Sequence, residues 1–116
     1  MLVVEDEQAI RESIAEFLED AGYVVAQVDD GPPALASMRE ALPDAVIVDL
    51  LLPTMSGSDF VQLMRADPRL ASVPIVILSA DPGMAEAAQA LGARGALAKP
   101  FHMDVLLAMV DQVSQT

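Results

Sequence analysis

Short apolar runs alternate with amphipathic segments along the chain, with a beat of roughly twenty residues. The runs predict strands at Leu2–Val4, 23–28, 45–48, 73–78 and Gly95–Ala98. The intervening segments predict helices at 8–21, from Asp30-Gly31 to before Pro43, from Ser56 or Ser58 to Asp67, at 84–91 and at 103–113. Five strand–helix units predict an α/β fold with a mostly parallel sheet and helices on both faces.

The helical spacing also predicts which side chains face the sheet. For the second helix these are Leu35, Met38 and Leu42, and for the third Phe60, Leu63 and Met64. Glu5, Asp6 and Glu7 precede the first helix, and Glu7 is expected to cap it.

Polar side chains follow four of the predicted strands. Glu5 and Asp6 follow the first strand, Asp49 the third, Ser79 the fourth and Lys99, the chain's one lysine, the fifth. Ligands of open α/β sheets bind beyond the carboxyl ends of the strands. In the flavodoxin-like order 2-1-3-4-5 of a doubly wound (βα)5 domain, these side chains meet at one edge.

Three carboxylates at one edge repel each other, and a divalent cation relieves that repulsion. Oxygen ligands suit Mg²⁺, whereas Zn²⁺ is disfavoured because the chain has one histidine, His102, and no cysteine. A carboxylate, a metal, a hydroxyl and an ammonium together match an acyl-phosphate site. Asp49 would attack phosphorus, Lys99 and the metal would neutralise the transferring oxygens, and Ser79 would hydrogen-bond a third oxygen.

Four motifs in register, MLVVEDE, VDLLLPTMSG, PIVILSA and AKPF, resemble the receiver domain of bacterial two-component response regulators. The chain is similar to the chemotaxis-type single-domain regulators, and the resemblance covers residues 1–116 as one receiver domain. It implies that Glu5 and Asp6 organise Mg²⁺, that Asp49 is the phosphoacceptor and that Leu51 offers a backbone carbonyl to the metal. It further implies that Ser79 is the switch hydroxyl, Lys99 the family's lysine, and the Lys99–Pro100 bond cis.

The chain departs from the family pattern at Ala96, three residues before Lys99, where the family usually has tyrosine or phenylalanine. The phosphoryl site is expected to survive this change, because Ala96 is not one of its members. The alanine-rich helix at 84–91 has a thin apolar face, so we hypothesise that this helix and the Ser79–Met84 loop report phosphorylation.

The resemblance implies phosphorelay signalling, in which Asp49 accepts a phosphoryl group from a sensor histidine kinase or a histidine phosphotransfer protein. The chain would then be no enzyme with a separate substrate, and would only phosphorylate and dephosphorylate itself. One alternative is a receiver-like interaction module that works without phosphate, which Ala96 keeps open. Another is a phosphohydrolase of haloacid-dehalogenase type, although the leading aspartate of that family's D-x-D pattern is missing.

Net charge and composition restrict the kinds of partner that the chain can bind. The formal net charge of −12 argues against nucleic-acid binding and against anionic membrane surfaces. The absence of cysteine and of a signal-peptide pattern favours a cytoplasmic protein. The family's usual partner surface lies on the last two helices and the strand between them, so a homodimer through this face is possible. A stand-alone regulator and part of a larger one both fit the sequence.

Overall fold

Strands and helices alternate throughout the computed structural model, which describes residues 1–81 and 83–114. Within these residues the strands are β1 (Leu2–Val4), β2 (Ala26–Val28), β3 (Val46–Asp49), β4 (Ile75–Ser79) and β5 (Gly95–Ala98). The helices are α1 (Gln8–Asp20), α2 (Gly31–Glu40), α3 (Gly57–Ala66), α4 (Met84–Ala90) and α5 (Met103–Ser114). The predicted order of ten elements is confirmed.

The strands form one parallel sheet in the order β2-β1-β3-β4-β5, as the flavodoxin-like prediction requires. In this register Asp49 lies opposite Leu78, and Ser79 lies opposite Ala98. Every residue of β1, β3 and β4 is buried, because helices cover both faces of these central strands. The edge strands β2 and β5 are more exposed.

Two apolar clusters hold the helices to the sheet, one on each face. Buried side chains of α2, α3 and α4 pack on one face, with Phe60 the largest of them. Buried side chains of α1 and α5 pack on the other face, among them Ile14, Leu18 and Leu106. Both faces of the sheet are therefore covered, and its carboxyl edge is left to the loops.

The second strand is shorter than predicted. Residues 23–25 lie before β2, and Val24 is 88% exposed. The Tyr23 amide donates instead to the carbonyl of Leu18 at 3.1 Å, after Gly22 has turned the chain at φ +102°. The end of α1 thus takes the hydrogen bond that a longer strand would have used.

Two predicted core residues are wrong. Leu42 is 59% exposed, because α2 ends at Glu40 and Leu42 lies beyond the helix. Leu63 is 47% exposed, because the buried stripe of α3 is centred on Phe60 and Val61 and leaves Leu63 at its margin.

Helix capping agrees in part with the predictions. Asp30 caps α2, and the Ser56 hydroxyl caps α3 by accepting from the Asp59 amide at 3.0 Å. Glu7 occupies the N-cap position of α1, but its side chain accepts no capping hydrogen bond, so that prediction is wrong.

Candidate functional site

Three backbone hydrogen bonds fix the chain where it leaves the carboxyl edge of the sheet. Glu5, directly after β1, donates its amide to the Val28 carbonyl at 3.1 Å. Leu50, directly after β3, donates to the Leu78 carbonyl at 3.1 Å. Lys99, directly after β5, donates to the Ser79 carbonyl at 2.9 Å. The side chains at these strand ends are therefore set by the sheet itself.

The Lys99 ammonium lies between two buried carboxylates. It donates to Glu5 Oε1 at 3.1 Å, to Glu5 Oε2 at 3.0 Å and to Asp49 Oδ2. Glu5 is 1% exposed and Asp49 is 5% exposed. One cation from β5 thus joins carboxylates from β1 and β3, two strands that are hydrogen-bonded neighbours.

The crowding of charge changes the protonation of this group. Burial, followed by the nearby Asp49 carboxylate, raises the pKa of Glu5 to about 7, although Lys99 works against the shift. Burial lowers the pKa of Lys99, but hydrogen bonds and charge from Asp49 and Glu5 outweigh it, so that pKa is raised. The pKa of Glu5 therefore lies near neutral pH chiefly because its carboxyl group is buried, and secondly because it lies beside the Asp49 carboxylate.

The backbone around Asp49 is held by hydrogen bonds and packs closely against Gly57. Its Oδ1 accepts the Leu51 amide at 3.0 Å, while the Gly57 amide closes the loop by donating to the Leu50 carbonyl at 2.8 Å. A Cβ on Gly57 would lie 2.5 Å from the Asp49 carbonyl oxygen and 2.6 Å from the Leu50 Cα. Any side chain at position 57 would therefore displace the backbone that carries Asp49, a constraint that the sequence did not reveal.

Three carboxylates form a group suited to a cation. One oxygen each from Glu5, Asp6 and Asp49 lies within 4.8 Å of the others, and Asp6 is exposed. An open cleft of about 490 Å³ is lined by these three residues together with Glu7, Leu51 and Lys99. A donor set made only of oxygen, open to water, fits Mg²⁺, which keeps several waters when bound.

Ser79 is the last residue of β4 and is fully buried. Its hydroxyl accepts the Asp81 amide at 3.0 Å, and Ser79 does not line the cleft. The predicted position at the same edge is confirmed, but the hydroxyl is engaged within its own loop.

Other predicted residues are also located. The Lys99–Pro100 bond is cis, as the resemblance implies, and His102 is exposed. Ala96 is half-buried and packs against the cluster under α2, α3 and α4.

Two residues near the site were not predicted. The Nη1 of Arg11 donates to the Glu5 carbonyl at 3.0 Å. Thr54 hydrogen-bonds to the cap residue Asp30. An arginine one turn into α1 was the available signal for the first contact.

None of the helices in the described part of the chain combines the length and the apolar character needed to cross a membrane.

A protein-family comparison matches residues 1–111 to the response regulator receiver domain. The chain belongs to this family. Receiver domains of two-component response regulators take part in phosphorelay signalling and are generally not enzymes with a separate substrate. The fold and the family both leave the haloacid-dehalogenase alternative without support.

Curated relatives and solved structures agree with this assignment. The chain is 38% identical over 112 residues to the DNA-binding response regulator MtrA of Mycobacterium tuberculosis, covering 95% of this chain and 48% of that protein. It is 36% identical over 113 residues to the response regulator Rre1 of Synechocystis, covering 95% of this chain and 49% of Rre1. The chain therefore spans about half the length of the curated relatives it matches.

Among solved structures, the chemotaxis response regulator CheY4 of Vibrio cholerae matches with a TM-score of 0.89 and 36% identity, covering 97% of this chain and 95% of that one. The receiver domain of the sensor histidine kinase PA1611 of Pseudomonas aeruginosa matches with a TM-score of 0.90 and 31% identity, covering 99% and 96% of the two chains. That structure has a magnesium ion coordinated in its active-site cleft. The predicted likeness to chemotaxis-type regulators is confirmed.

Proposed function

We propose that Asp49 is the phosphoacceptor of this receiver domain and takes its phosphoryl group from a phosphohistidine. The observation that carries the proposal is the Asp49 carboxylate itself, which is buried, bonded to Lys99 and part of the three-carboxylate group at an open cleft. A buried carboxylate in contact with an ammonium and with solvent access is suited to nucleophilic attack on phosphorus.

In the transfer, a carboxylate oxygen of Asp49 forms a bond to phosphorus as the phosphorus–nitrogen bond of the donor breaks. The electron pair of that bond leaves with the imidazole nitrogen, which takes up a proton from water. Lys99 is hydrogen-bonded to Asp49 in the structure, so its ammonium is close enough to pair with an oxygen of the arriving phosphoryl group. Glu5 continues to accept hydrogen bonds from the Lys99 ammonium, and these bonds hold the ammonium next to Asp49.

The residues that would hold Mg²⁺ are Glu5, Asp6 and Asp49, with the backbone carbonyl of Leu51. When bound, the ion supplies positive charge that neutralises phosphoryl oxygens. Asp6 is the exposed member of the group, so it is the side chain that a hydrated ion meets first. We expect Asp6→Asn to weaken Mg²⁺ binding several-fold, measured by calorimetric titration; unchanged affinity would move the metal elsewhere.

Ser79 is proposed as the switch hydroxyl that hydrogen-bonds a phosphoryl oxygen. Its hydroxyl now accepts from the Asp81 amide, so it can rotate its proton toward a new acceptor while the oxygen keeps this contact. The acyl phosphate would also be lost slowly to water, since the cleft is open. This makes the chemistry self-directed.

The donor would be a sensor histidine kinase or a histidine phosphotransfer protein. Residues 1–116 are proposed to form one receiver domain in the cytoplasm, with no direct contact to nucleic acid or membrane. The chain spans about half the length of these curated relatives, so the output of the whole protein is a separate proposal. A homodimer through α4, β5 and α5 is one form that the output could take.

The test is labelling by radioactive acetyl phosphate with and without Mg²⁺. Wild-type protein should take up an acid-stable, base-labile label only with Mg²⁺, and Asp49→Asn should take up none. Asp44→Asn, an exposed aspartate before β3 at the other end of the strand, is the matched control and should label like wild type. Label on Asp49→Asn would refute the assignment. If wild-type protein takes up no label from acetyl phosphate but still binds a partner protein, the result would favour a receiver-like interaction module that works without phosphate.

A further inference from the structure

Asp30 does more than cap α2. Its Oδ1 accepts the Gly31 amide at 2.8 Å, which is the capping bond. The same carboxylate also accepts the Thr54 amide, at 3.3 Å on Oδ2 and 3.4 Å on Oδ1, and the Thr54 hydroxyl donates to Oδ2. Asp30 thus joins the start of α2 to the loop between β3 and α3, residues 50–56. We refer to this contact as the Asp30–Thr54 bridge.

Packing brings the same two segments together beside the bridge. Met55 lies so close to Gly31 that a Cβ on Gly31 would be 2.8 Å from the Met55 sulfur. Leu52 and Met55 also pack against the apolar cluster under α2 and α3. The loop is therefore held down by apolar contacts on either side of Thr54, and the bridge supplies the polar contact between them.

This loop directly follows Asp49 and contributes Leu51 to the cleft of the proposed phosphoryl site. At its start, the Leu51 amide holds Asp49 Oδ1, and at its end, the Gly57 amide holds the Leu50 carbonyl. Thr54 stands midway between these two fixed points. A bridge at Thr54 restrains the path of the backbone from Leu50 to Gly57, and so the position of Leu51 at the mouth of the cleft.

We propose that Asp30 is a positioning residue for the Mg²⁺-dependent phosphoryl site, acting through Thr54 on the loop that carries Leu51. The inference rests on the proposed function of Asp49. A helix cap needs no partner at position 54, and serine or asparagine would cap equally well. The hydrogen bond from the Thr54 hydroxyl lowers the pKa of Asp30, because it stabilises the charged carboxylate.

Two variants separate the bridge from the cap. Asp30→Ser keeps a capping hydroxyl and removes the carboxylate that accepts the hydrogen bonds of Thr54. Thr54→Val keeps the shape of an exposed side chain and removes its hydroxyl donor. Asp29→Ser, the same substitution at the exposed preceding residue, is the control for the lost charge. Mg²⁺ affinity is measured by calorimetry, loop order by amide exchange at Leu51 and Thr54, and global stability by urea unfolding.

We expect Asp30→Ser to weaken Mg²⁺ binding about three- to tenfold and Thr54→Val about threefold, since partners that orient ligands commonly matter at this level. Amide exchange at Leu51 should rise in both variants, while exchange at Ile77 in β4 stays unchanged. The double variant should lose no more than Asp30→Ser alone, because Thr54→Val removes one of the hydrogen bonds that Asp30→Ser already removes. Asp29→Ser should behave like wild type.

Mg²⁺ affinity and Leu51 exchange within twofold of wild type in both variants would overturn the proposal. A fall in the urea midpoint without a change in Mg²⁺ affinity would also overturn it, because it would mean that the bridge serves stability alone. The proposed function fails separately, if wild-type protein takes no label from acetyl phosphate. In that case the exchange and Mg²⁺ measurements still decide whether the bridge positions the loop.

Discussion

The centre of the sheet and its β5–α4 edge are built differently. All residues of β1, β3 and β4 are buried, whereas β5 is half-buried, and Ala88 is the buried residue of the seven-residue helix α4. Glu5 and Asp49 extend from the tightly packed centre, and Lys99 reaches them from the loosely packed edge. The proposed phosphoacceptor thus lies in the tightly packed centre, while its counter-ion Lys99 directly follows the less buried strand β5.

The difference in packing between centre and edge indicates how phosphorylation of Asp49 would change the conformation of the domain. A region with few buried apolar contacts opens at low free-energy cost, so it responds first when the contacts of Lys99 change. The Ser79–Met84 connection joins the centre to α4, and Lys99 is bonded through its amide to Ser79. With Ala96 in place of a ring, we expect movement of α4 rather than of an aromatic side chain to carry the response.

The largest effect should come from truncating one leucine to alanine in the centre of the sheet and one at its β5–α4 edge. Leu78 in β4 and Leu97 in β5 are partners in the sheet, and both pack in the cluster under α1 and α5. Leu78→Ala should lower the free energy of unfolding by about 3–4 kcal/mol, and Leu97→Ala by about 1–2 kcal/mol, because only Leu78 is fully buried. Urea unfolding measures both, and equal losses would remove the distinction between centre and edge.

Next in size is the loss of the cation that links the two regions. Lys99→Met should slow labelling by acetyl phosphate about 100-fold, as removal of a charged transition-state donor commonly does. Arg69→Met, which removes an exposed cation far along the chain, is the control and should label normally. A loss below threefold at Lys99 would show that the Lys99 contact to Asp49 is a resting contact without a role in transfer.

A smaller effect concerns pH in the absence of divalent cations. The pKa of Glu5 is raised from 4.5 to about 7, so the folded state holds a proton that the unfolded chain releases. Its contribution to stability is complete below pH 4.5 and is lost as the pH rises through 7. The free energy of unfolding of Glu5→Gln should therefore rise relative to wild type by about 1–2 kcal/mol as the pH increases from 4.5 to 8. This figure is reduced for solvent screening at the open cleft.

The control for this experiment is Glu16→Gln, an exposed position on α1, whose difference from wild type should not change with pH. A flat difference for Glu5→Gln would mean that Lys99 compensates Glu5 fully and that its carboxylate is charged throughout the range.

The smallest effect is expected at the edge itself. Ala96→Tyr restores the ring that the family usually carries, on a half-buried strand outside the cleft. Labelling by acetyl phosphate should stay within twofold of wild type, measured as initial rates at saturating Mg²⁺. A tenfold loss would show that β5 and the phosphoryl site are coupled more tightly than their packing indicates.

Local pattern was enough to predict the strand ends and hence the meeting of Glu5, Asp6, Asp49 and Lys99. Apolar runs mark buried strands, and parallel strands bring their last residues together. The double contact of Lys99 with Glu5 could not be predicted, since it depends on the length of both side chains across β1 and β5.

The same limit applies to contacts between loops. Asp30-Gly31 predicts a helix start, which is confirmed, but the bond from Thr54 to Asp30 depends on how closely α2 approaches the loop after β3. The close approach of Gly57 to the Asp49 carbonyl likewise depends on how the loop folds back on β3, which no local pattern states. Leu42 and Leu63 were misassigned because helical periodicity does not state where a helix ends or where its stripe is centred.

The most direct test of the account is amide exchange and NMR with beryllofluoride, a phosphoryl mimic, in the presence and absence of Mg²⁺. We expect Mg²⁺-dependent binding that shifts the signals of Asp49, Ser79 and Lys99 and changes amide protection in α4, whereas amide protection in the buried strand β3 stays unchanged. Asp49→Asn should abolish all of these effects. Binding without Mg²⁺, binding that survives Asp49→Asn, or equal protection of α4 in both states would contradict it.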